Sequence, residues 1–295
     1  MRTPSFTRPS TVLLAAASLA GLGASFAVTG PAAAVPISGV VRAELESPDN
    51  AVDKSVIVAC PAGKKVINAG GYITAGNGSV AMDDIYPDET LSTVKVSGRE
   101  TDPIATNWRV KGFATCADEP AGLEWVWERS DDDTDDAKSV TARCPEGKTL
   151  LGTGGTLVGG NGEVIIDEIK PDGGPGVAPT EVTVQAAEAD AFTGSWRVNA
   201  LAICAEPLDG QQRISAQTAP ASVNDGVRAD CPAGQVATGS GAEIVGPTGE
   251  VVLDDSYPTN GSTVDPPTAT TVYGQEEDAT AADWFIRGFV ICADD

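Results

Sequence analysis

The 295-residue chain contains no histidine, and 19 lysines and arginines stand against 42 aspartates and glutamates, a formal charge of −23. Without imidazole there is no serine–histidine or cysteine–histidine nucleophile and no ordinary zinc site. So acidic a surface repels phosphate backbones and anionic lipid, which argues against nucleic-acid and membrane-surface partners. Aromatic residues make up only 5% of the chain, so small units would have little bulk to bury and would need another source of stability. With 33 glycines and 20 prolines there is little room for long helices. No G-x-S-x-G arrangement occurs, so the hydrolase nucleophile elbow is missing as well.

What is present begins with a leader. Arg2 and Arg8 precede an uncharged apolar run, Thr11–Val28, and Pro31-Ala32-Ala33-Ala34 supplies small residues after it. That order predicts a signal peptide over residues 1–34 and a secreted, extracellular product. No later run is apolar for long enough to insert in a membrane. Six cysteines fit an oxidising destination.

Self-similarity organises the rest. Cys60-Pro61-Ala62-Gly63, Cys144-Pro145-Glu146-Gly147 and Cys231-Pro232-Ala233-Gly234 open three segments that align without a gap to Pro87, Pro171 and Pro258. A glycine recurs ten residues after each cysteine (Gly70, Gly154, Gly241) and another eighteen after it (Gly78, Gly162, Gly249). Acid pairs precede the prolines: Asp83-Asp84, Asp167-Glu168 and Asp254-Asp255. An E-x-D follows in each copy, as Glu100/Asp102, Glu188/Asp190 and Glu276/Asp278. Then come Trp108, Trp196 and Trp284, spaced 88 and 88 apart, with Cys116, Cys204 and Cys292 eight residues beyond them. The repeats span 35–119, 120–208 and 209–295. Each owns one early and one late cysteine, so the simplest pairing is Cys60–Cys116, Cys144–Cys204 and Cys231–Cys292. The alternative joins each late cysteine to the next copy's early one. An internal bridge closing a loop of about 55–60 residues would contribute about 4 kcal/mol.

Apolar residues alternate, as in Trp108-x-Val110-x-Gly112-x-Ala114-x-Cys116, and this period of two predicts strands with Trp and Cys on the core face. Six strands are expected in the first copy, near 40–46, 54–60, 64–74, 79–86, 92–99 and 107–116. Asn77-Gly78, Asn161-Gly162 and Thr248-Gly249 read as hairpin turns between them. The class is all-β. Two architectures fit: three tandem disulfide-bridged Greek-key β-sandwiches, or a single pseudo-threefold β-prism.

The string C-P-x-G, the following glycines, the acid–proline segment and the closing W-x-V-x-G-x-A-x-C resemble a module of secreted high-GC bacterial proteins. That resemblance implies export and a β fold, and no particular activity. The threefold Cys-Pro-x-Gly is also similar to the vitelline membrane outer layer protein family, which implies a threefold β-prism with carbohydrate contact.

Several constellations suggest chemistry. Two acids at i and i+2 of a strand share a face, so Glu100, Asp102, Glu188, Asp190, Glu276 and Asp278 are candidates for calcium or ligand contact; paired carboxylates also run glycoside hydrolysis. The plainer reading has each E-x-D cap and solvate the loop before the tryptophan strand. Calcium is the only cofactor suggested, either there or between strands at the acid pairs. Asp131–Asp136 carries acids at alternate places but lacks the glycine and the bidentate glutamate of an EF-hand, so it reads as a mobile solvated loop. Asn77-Gly78-Ser79 and Asn260-Gly261-Ser262 match the glycosylation pattern yet read as turns. Trp125 and Trp127 share a strand face and suit either core packing or stacking on a sugar. Together these features predict a non-catalytic extracellular protein that binds an unidentified polymer or protein. The alternatives are a carbohydrate-binding lectin and a carboxylate-dependent hydrolase.

Overall fold

The computed structural model describes residues 34–295, so the expected signal peptide lies outside the described residues apart from its last position. No helix among them is long and apolar enough to cross a membrane. Each repeat contributes six strands, where period-two patterning predicts them. The first holds β1 (Val41–Glu46), β2 (Lys54–Ala59), β3 (Lys65–Thr74), β4 (Val80–Pro87), β5 (Thr93–Glu100) and β6 (Arg109–Ala117). The second holds β7 (Glu124–Arg129), β8 (Ala137–Arg143), β9 (Thr149–Val158), β10 (Val164–Pro171), β11 (Glu181–Glu188) and β12 (Arg197–Ala205). The third holds β13 (Gln212–Gln217), β14 (Asp225–Asp230), β15 (Gln235–Val245), β16 (Val251–Thr259), β17 (Ala269–Glu276) and β18 (Phe285–Asp294).

Within the first repeat, β1-β6-β3 forms one antiparallel layer and β2-β5-β4 the other. Apolar residues of both layers, including Val56, Val58, Met82, Val94, Val96 and Val110, meet between them around the fully buried Trp108. Trp196 and Trp284 are buried in the same place in the other copies. Cysteine pairing is internal, Cys60–Cys116, Cys144–Cys204 and Cys231–Cys292, and each bridge ties one layer to the other. The unit is therefore a disulfide-bridged two-layer β structure in triplicate.

These sandwiches are not separate bodies. The layer β2-β5-β4 continues into β9-β12-β7 of the second repeat, β10-β11-β8 into β15-β18-β13 of the third, and β16-β17-β14 into β3-β6-β1 of the first. Three six-stranded sheets result, each shared by two repeats, and the last pairing closes the ring. The recurrent glycine ten residues past the first cysteine lies at these seams. A Cβ on Gly154 would stand 2.5 Å from the Ile85 carbonyl oxygen, one on Gly241 would stand 2.4 Å from Ile169 O, and one on Gly70 would stand 2.6 Å from Ser256 O. A backbone that approaches so closely admits no side chain.

The Asn-Gly segments do turn tightly, with Asn77 at φ 52° and Asn161 at φ 55°, but they do not make hairpins. β3 and β4 belong to different sheets, so the turn crosses between layers. Its glycine is demanded by a neighbour as well as by the turn: a Cβ on Gly78 would lie 2.2 Å from Glu276 O, on Gly162 2.3 Å from Glu100 O, and on Gly249 2.3 Å from Glu188 O. Each E-x-D backbone thus rests against the turn of the next copy.

Along the pseudo-threefold axis, equivalent residues meet. Ile67, Leu151, Ala117, Ala205 and Ala293 form an apolar cluster covered by Ile37 and Leu208. Asn68 donates to Ser240 Oγ at 2.8 Å and Thr153 donates to Ser240 O at 2.5 Å in a buried polar layer. Ala81, Ile165 and Val252 then pack together with Ala189.

Candidate functional site

Beside Ala189 the three E-x-D motifs converge, and their residues divide into two groups. The glutamates are structural: Trp108 Nε1 donates to Glu100 Oε1 at 2.9 Å, Trp284 Nε1 donates to Glu276 Oε1 at 3.0 Å, and Glu188 Oε2 accepts from the Phe192 N–H at 3.1 Å. A buried indole N–H needs such an acceptor. Asp102 and Asp190 instead reach the axis, where oxygens of Asp102, Asp190 and Glu277 all lie within 4.8 Å of one another. Asp278 does not join them; Glu277, the middle residue of its motif, takes that place. Partial burial, with the charges of Asp278, Asp102 and Asp190, pushes the Glu277 carboxyl up to about 7. Three oxygens of this kind suit a hard cation such as calcium, with water completing its six to eight ligands, or a shared proton.

The acid pairs lie elsewhere, on the outer faces of the shared sheets. Asp83, Asp167 and Asp254 occupy β-bulges, where the register shifts between Met82 and Asp84, Ile166 and Glu168, and Leu253 and Asp255. A bulge turns both acids of a pair outward, beside the seam. Burial first, then the adjacent acid, pushes Asp83 and Asp167 each up to about 6.

The three seams have diverged. At β10–β15, Glu168 faces Glu243, and Lys170 bridges them at 2.9 Å to each while Arg287 holds Glu243 at 2.6 Å. At β16–β3, Tyr72, Phe113 and Tyr257 fill the space with ring centroids 5.1–5.8 Å apart. At β4–β9 the short Thr156 and Asn199 stand where the second seam has Glu243 and Arg287, and a groove of about 760 Å³ remains open. Its charges balance. Lys95 holds Asp84 at 2.8 Å, Arg99 lies 3.0 Å from Asp53 and 3.5 Å from Asp83, and the Ser97 hydroxyl donates to Asp84 at 2.6 Å. Asn199 donates to Thr156 Oγ1 at 2.7 Å.

Tyr86 lines the same groove and starts an aromatic row. Trp125 stands edge-on to it at 6.4 Å, and Trp127 follows at 6.3 Å. The two tryptophans share a face of β7, as alternation predicts, and divide between the two readings: Trp125 is half-buried and packs against the core, whereas Trp127 is 45% exposed. The pairing sets Val126 opposite Ala202, Trp125 opposite the core residue Ile203 and Trp127 opposite Leu201. Trp125 Nε1 donates to Pro87 O at 3.0 Å, fixing the ring across the seam.

Asp131–Asp136 is largely exposed, as a solvated loop should be, and is anchored at Asp133. Lys138, with a side chain only 5% exposed, contacts Asp133 Oδ1 at 2.6 Å and the carbonyls of Asp133 and Trp196. An ammonium occupies the middle of what reads as a cation loop, and its charge lies 4.3 Å from the Trp196 ring. Asn77 and Asn260 both adopt left-handed turn conformations, at φ 52° and 71°.

Periodicity could not reveal Glu277, because Thr101 and Ala189 fill its place in the other copies. Nor could it reveal the groove, whose walls come from two repeats. No protein-family model matches the sequence, and no curated protein matches it.

Proposed function

We propose that the chain is an exported, non-catalytic binding protein whose ligand is an uncharged carbohydrate polymer lying along the outer face of the sheet β2-β5-β4-β9-β12-β7. One observation carries this reading: the Tyr86–Trp125–Trp127 row runs out of a groove whose lysines, arginine and carboxylates neutralise one another. Aromatic faces bury the apolar faces of sugar rings, and Ser97, Thr156 and Asn199 offer hydroxyl and amide groups to sugar hydroxyls. The net charge of −23 disfavours an anionic polymer. Three disulfides fit an oxidising, extracellular setting. A hydrolytic role has less support, because Asp84 is held by Lys95 and Ser97 and Asp83 is its immediate neighbour. Glycosidase carboxylates flank a bond at roughly 5–9 Å.

Pulldown on insoluble neutral polysaccharides, together with a glycan array, tests the reading. Retention that drops at least about tenfold in Trp127→Ala supports it, since that corresponds to about 1.4 kcal/mol of lost stacking. A folded protein that retains no glycan removes the carbohydrate ligand and leaves a protein partner for the same face. Glycosidase screens are expected to show no turnover.

A further inference from the structure

The seam that closes the ring differs from the other two in two ways. First, it has no covalent reinforcement. The chain passes from β6 to β7 beside the first seam and from β12 to β13 beside the second, whereas β16 and β3 come from repeats at opposite ends of the described chain. No disulfide crosses it either. Second, its acid pair has no cation. Asp84 has Lys95 and Glu168 has Lys170, but among the described residues no ion pair includes Asp254 or Asp255. The register explains why: Tyr273 of β17 lies opposite Asp255, Thr271 and Gln275 beside it stand where β5 carries Lys95 and Arg99, and Tyr257 stands where β10 carries Lys170.

Asp254 is 3% exposed, and one carboxylate oxygen of each member, Oδ1, has no partner outside the pair. Two adjacent carboxylates in such a place cannot both be charged and unpaired. We propose that Asp254 and Asp255 form a proton-operated latch, holding β16 against β3 while they share a proton and releasing that seam, with the three sandwiches intact, when the proton leaves.

Groups around the pair agree with this. β3 presents Tyr72 opposite Asp255, and the Ile73 N–H is directed at the Asp255 carboxylate. β17 presents Tyr273 and Gln275, with Asp225 of β14 beyond them. β16 itself carries Tyr257. The cations of this face are engaged elsewhere: Arg42 on β1 and Lys111 on β6 by Glu44 at 2.9 and 2.7 Å, and Arg228 on β14, opposite Thr271, by Asp230 at 2.6 Å. β4 and β10 bring the apolar Ala81 and Ile165 against Val252. Burial pushes both carboxyls well above the usual carboxylate range, and the charge of Asp254 pushes Asp255 further. The closed seam therefore holds a proton that an open, solvated seam gives up. The seam opens more readily as pH rises above the ordinary carboxylate range, by about tenfold per pH unit for one proton, until the closed pair itself ionises.

Amide hydrogen exchange on the full chain, corrected for intrinsic rates, is the test. Between about pH 7 and pH 9 Asp83 and Asp167 have largely finished titrating, and Glu168 of the β10–β15 seam, also raised by burial, is held by Lys170, so a pH dependence confined to the β16–β3 seam belongs to this pair. Protection at Gly71–Ile73 and Asp255–Tyr257 is expected to fall about 100-fold, while the β4–β9 and β10–β15 seams stay within a few-fold. Asp255→Asn should abolish the dependence and keep the seam protected. If that variant does not fold, Thr271→Lys, which restores the cation found at Lys95, should do the same. Equal loss at all three seams, unchanged protection in the parent protein, or a dependence that survives in the folded variant would each overturn the latch.

Discussion

Arg42 in the first strand donates through Nη1 to the carbonyl of Pro258 at 3.0 Å, across 216 residues of sequence. The same relationship recurs around the ring. Arg213 donates to Pro171 O at 2.9 Å, and Trp125 to Pro87 O at 3.0 Å. The motif proline therefore marks the point where the first strand of one repeat reaches the fourth strand of another. Replacing Arg42 by alanine removes a charged donor from a mostly buried carbonyl and also its stacking on Phe113. A loss of about 2 kcal/mol is expected in denaturant melts. Glu44→Ala breaks two partly exposed pairs, with Arg42 and Lys111, and should cost about 1 kcal/mol.

The two kinds of recurrent glycine should respond differently to alanine. Gly154→Ala forces a methyl against the Ile85 carbonyl and the Pro87 ring, so the seam must separate, at a cost of about 3 kcal/mol or more. Gly63 has φ +85° and nothing within 4 Å of an added Cβ. Gly63→Ala should cost only the left-handed strain, about 1 kcal/mol. Comparable losses in melts of the two variants would mean that the seam tolerates separation.

Glu100 tests whether the E-x-D glutamate serves the indole. Glu100→Gln keeps an oxygen 2.9 Å from Trp108 Nε1 and should be nearly neutral. Glu100→Ala leaves a buried donor unpaired and should cost about 1–3 kcal/mol. Equal effects of the two changes in thermal melts would assign the role to charge instead.

Six strands of the first repeat were readable within two residues of their ends, because each has one face in a core and alternation reports that directly. The internal cysteine pairing was readable from the repeat itself, since each copy owns one early and one late cysteine. Sheet sharing was not. Each seam rests on short pairings such as Asp84 with Thr156 and Ile85 with Gly155, and a strand's apolar pattern says which face is buried, not which edge is joined. The recurrent glycines carried that information, since their positions are set by a neighbour's carbonyl, but a glycine reads equally as a turn. At the axis, Asp102 and Asp190 were visible as repeated acids and Glu277 was hidden, because the position that completes the cluster is one the repeats do not share.

Glu277 makes stability depend on pH. Its carboxyl is raised to about 7 in the folded protein from an ordinary 4.5. The folded state holds a proton that the unfolded chain releases, so Glu277's contribution to stability falls as pH rises from about 4.5 to about 7 and is level above that. Half-exposed as the group is, solvent screening limits the effect to about 1 kcal/mol. Glu277→Gln should remove this slope and raise the melting temperature at pH 8 while leaving it unchanged near pH 4. Millimolar calcium added after EDTA treatment should raise the melting temperature of the parent if the cluster takes a cation. No shift in the parent would leave the carboxylates with a proton as their only guest.

Shared sheets also decide how the molecule unfolds. A separate sandwich would melt by itself, and three of them would give three transitions. Here every sheet needs strands from two repeats, so losing one repeat strips three strands from each of two sheets and leaves new edges exposed. Calorimetry of the intact chain near neutral pH is therefore expected to give one transition whose calorimetric and van't Hoff enthalpies agree. Replacing Cys144 and Cys204 together by serine opens a loop with a sequence separation of 60, a loss of about 4 kcal/mol. For a body of this size that lowers the melting temperature by about 10 °C. The decisive feature is that the whole transition should move. An early, separate melt of the second repeat, with the first and third keeping their original temperature, would mean that the seams contribute too little to couple the sandwiches.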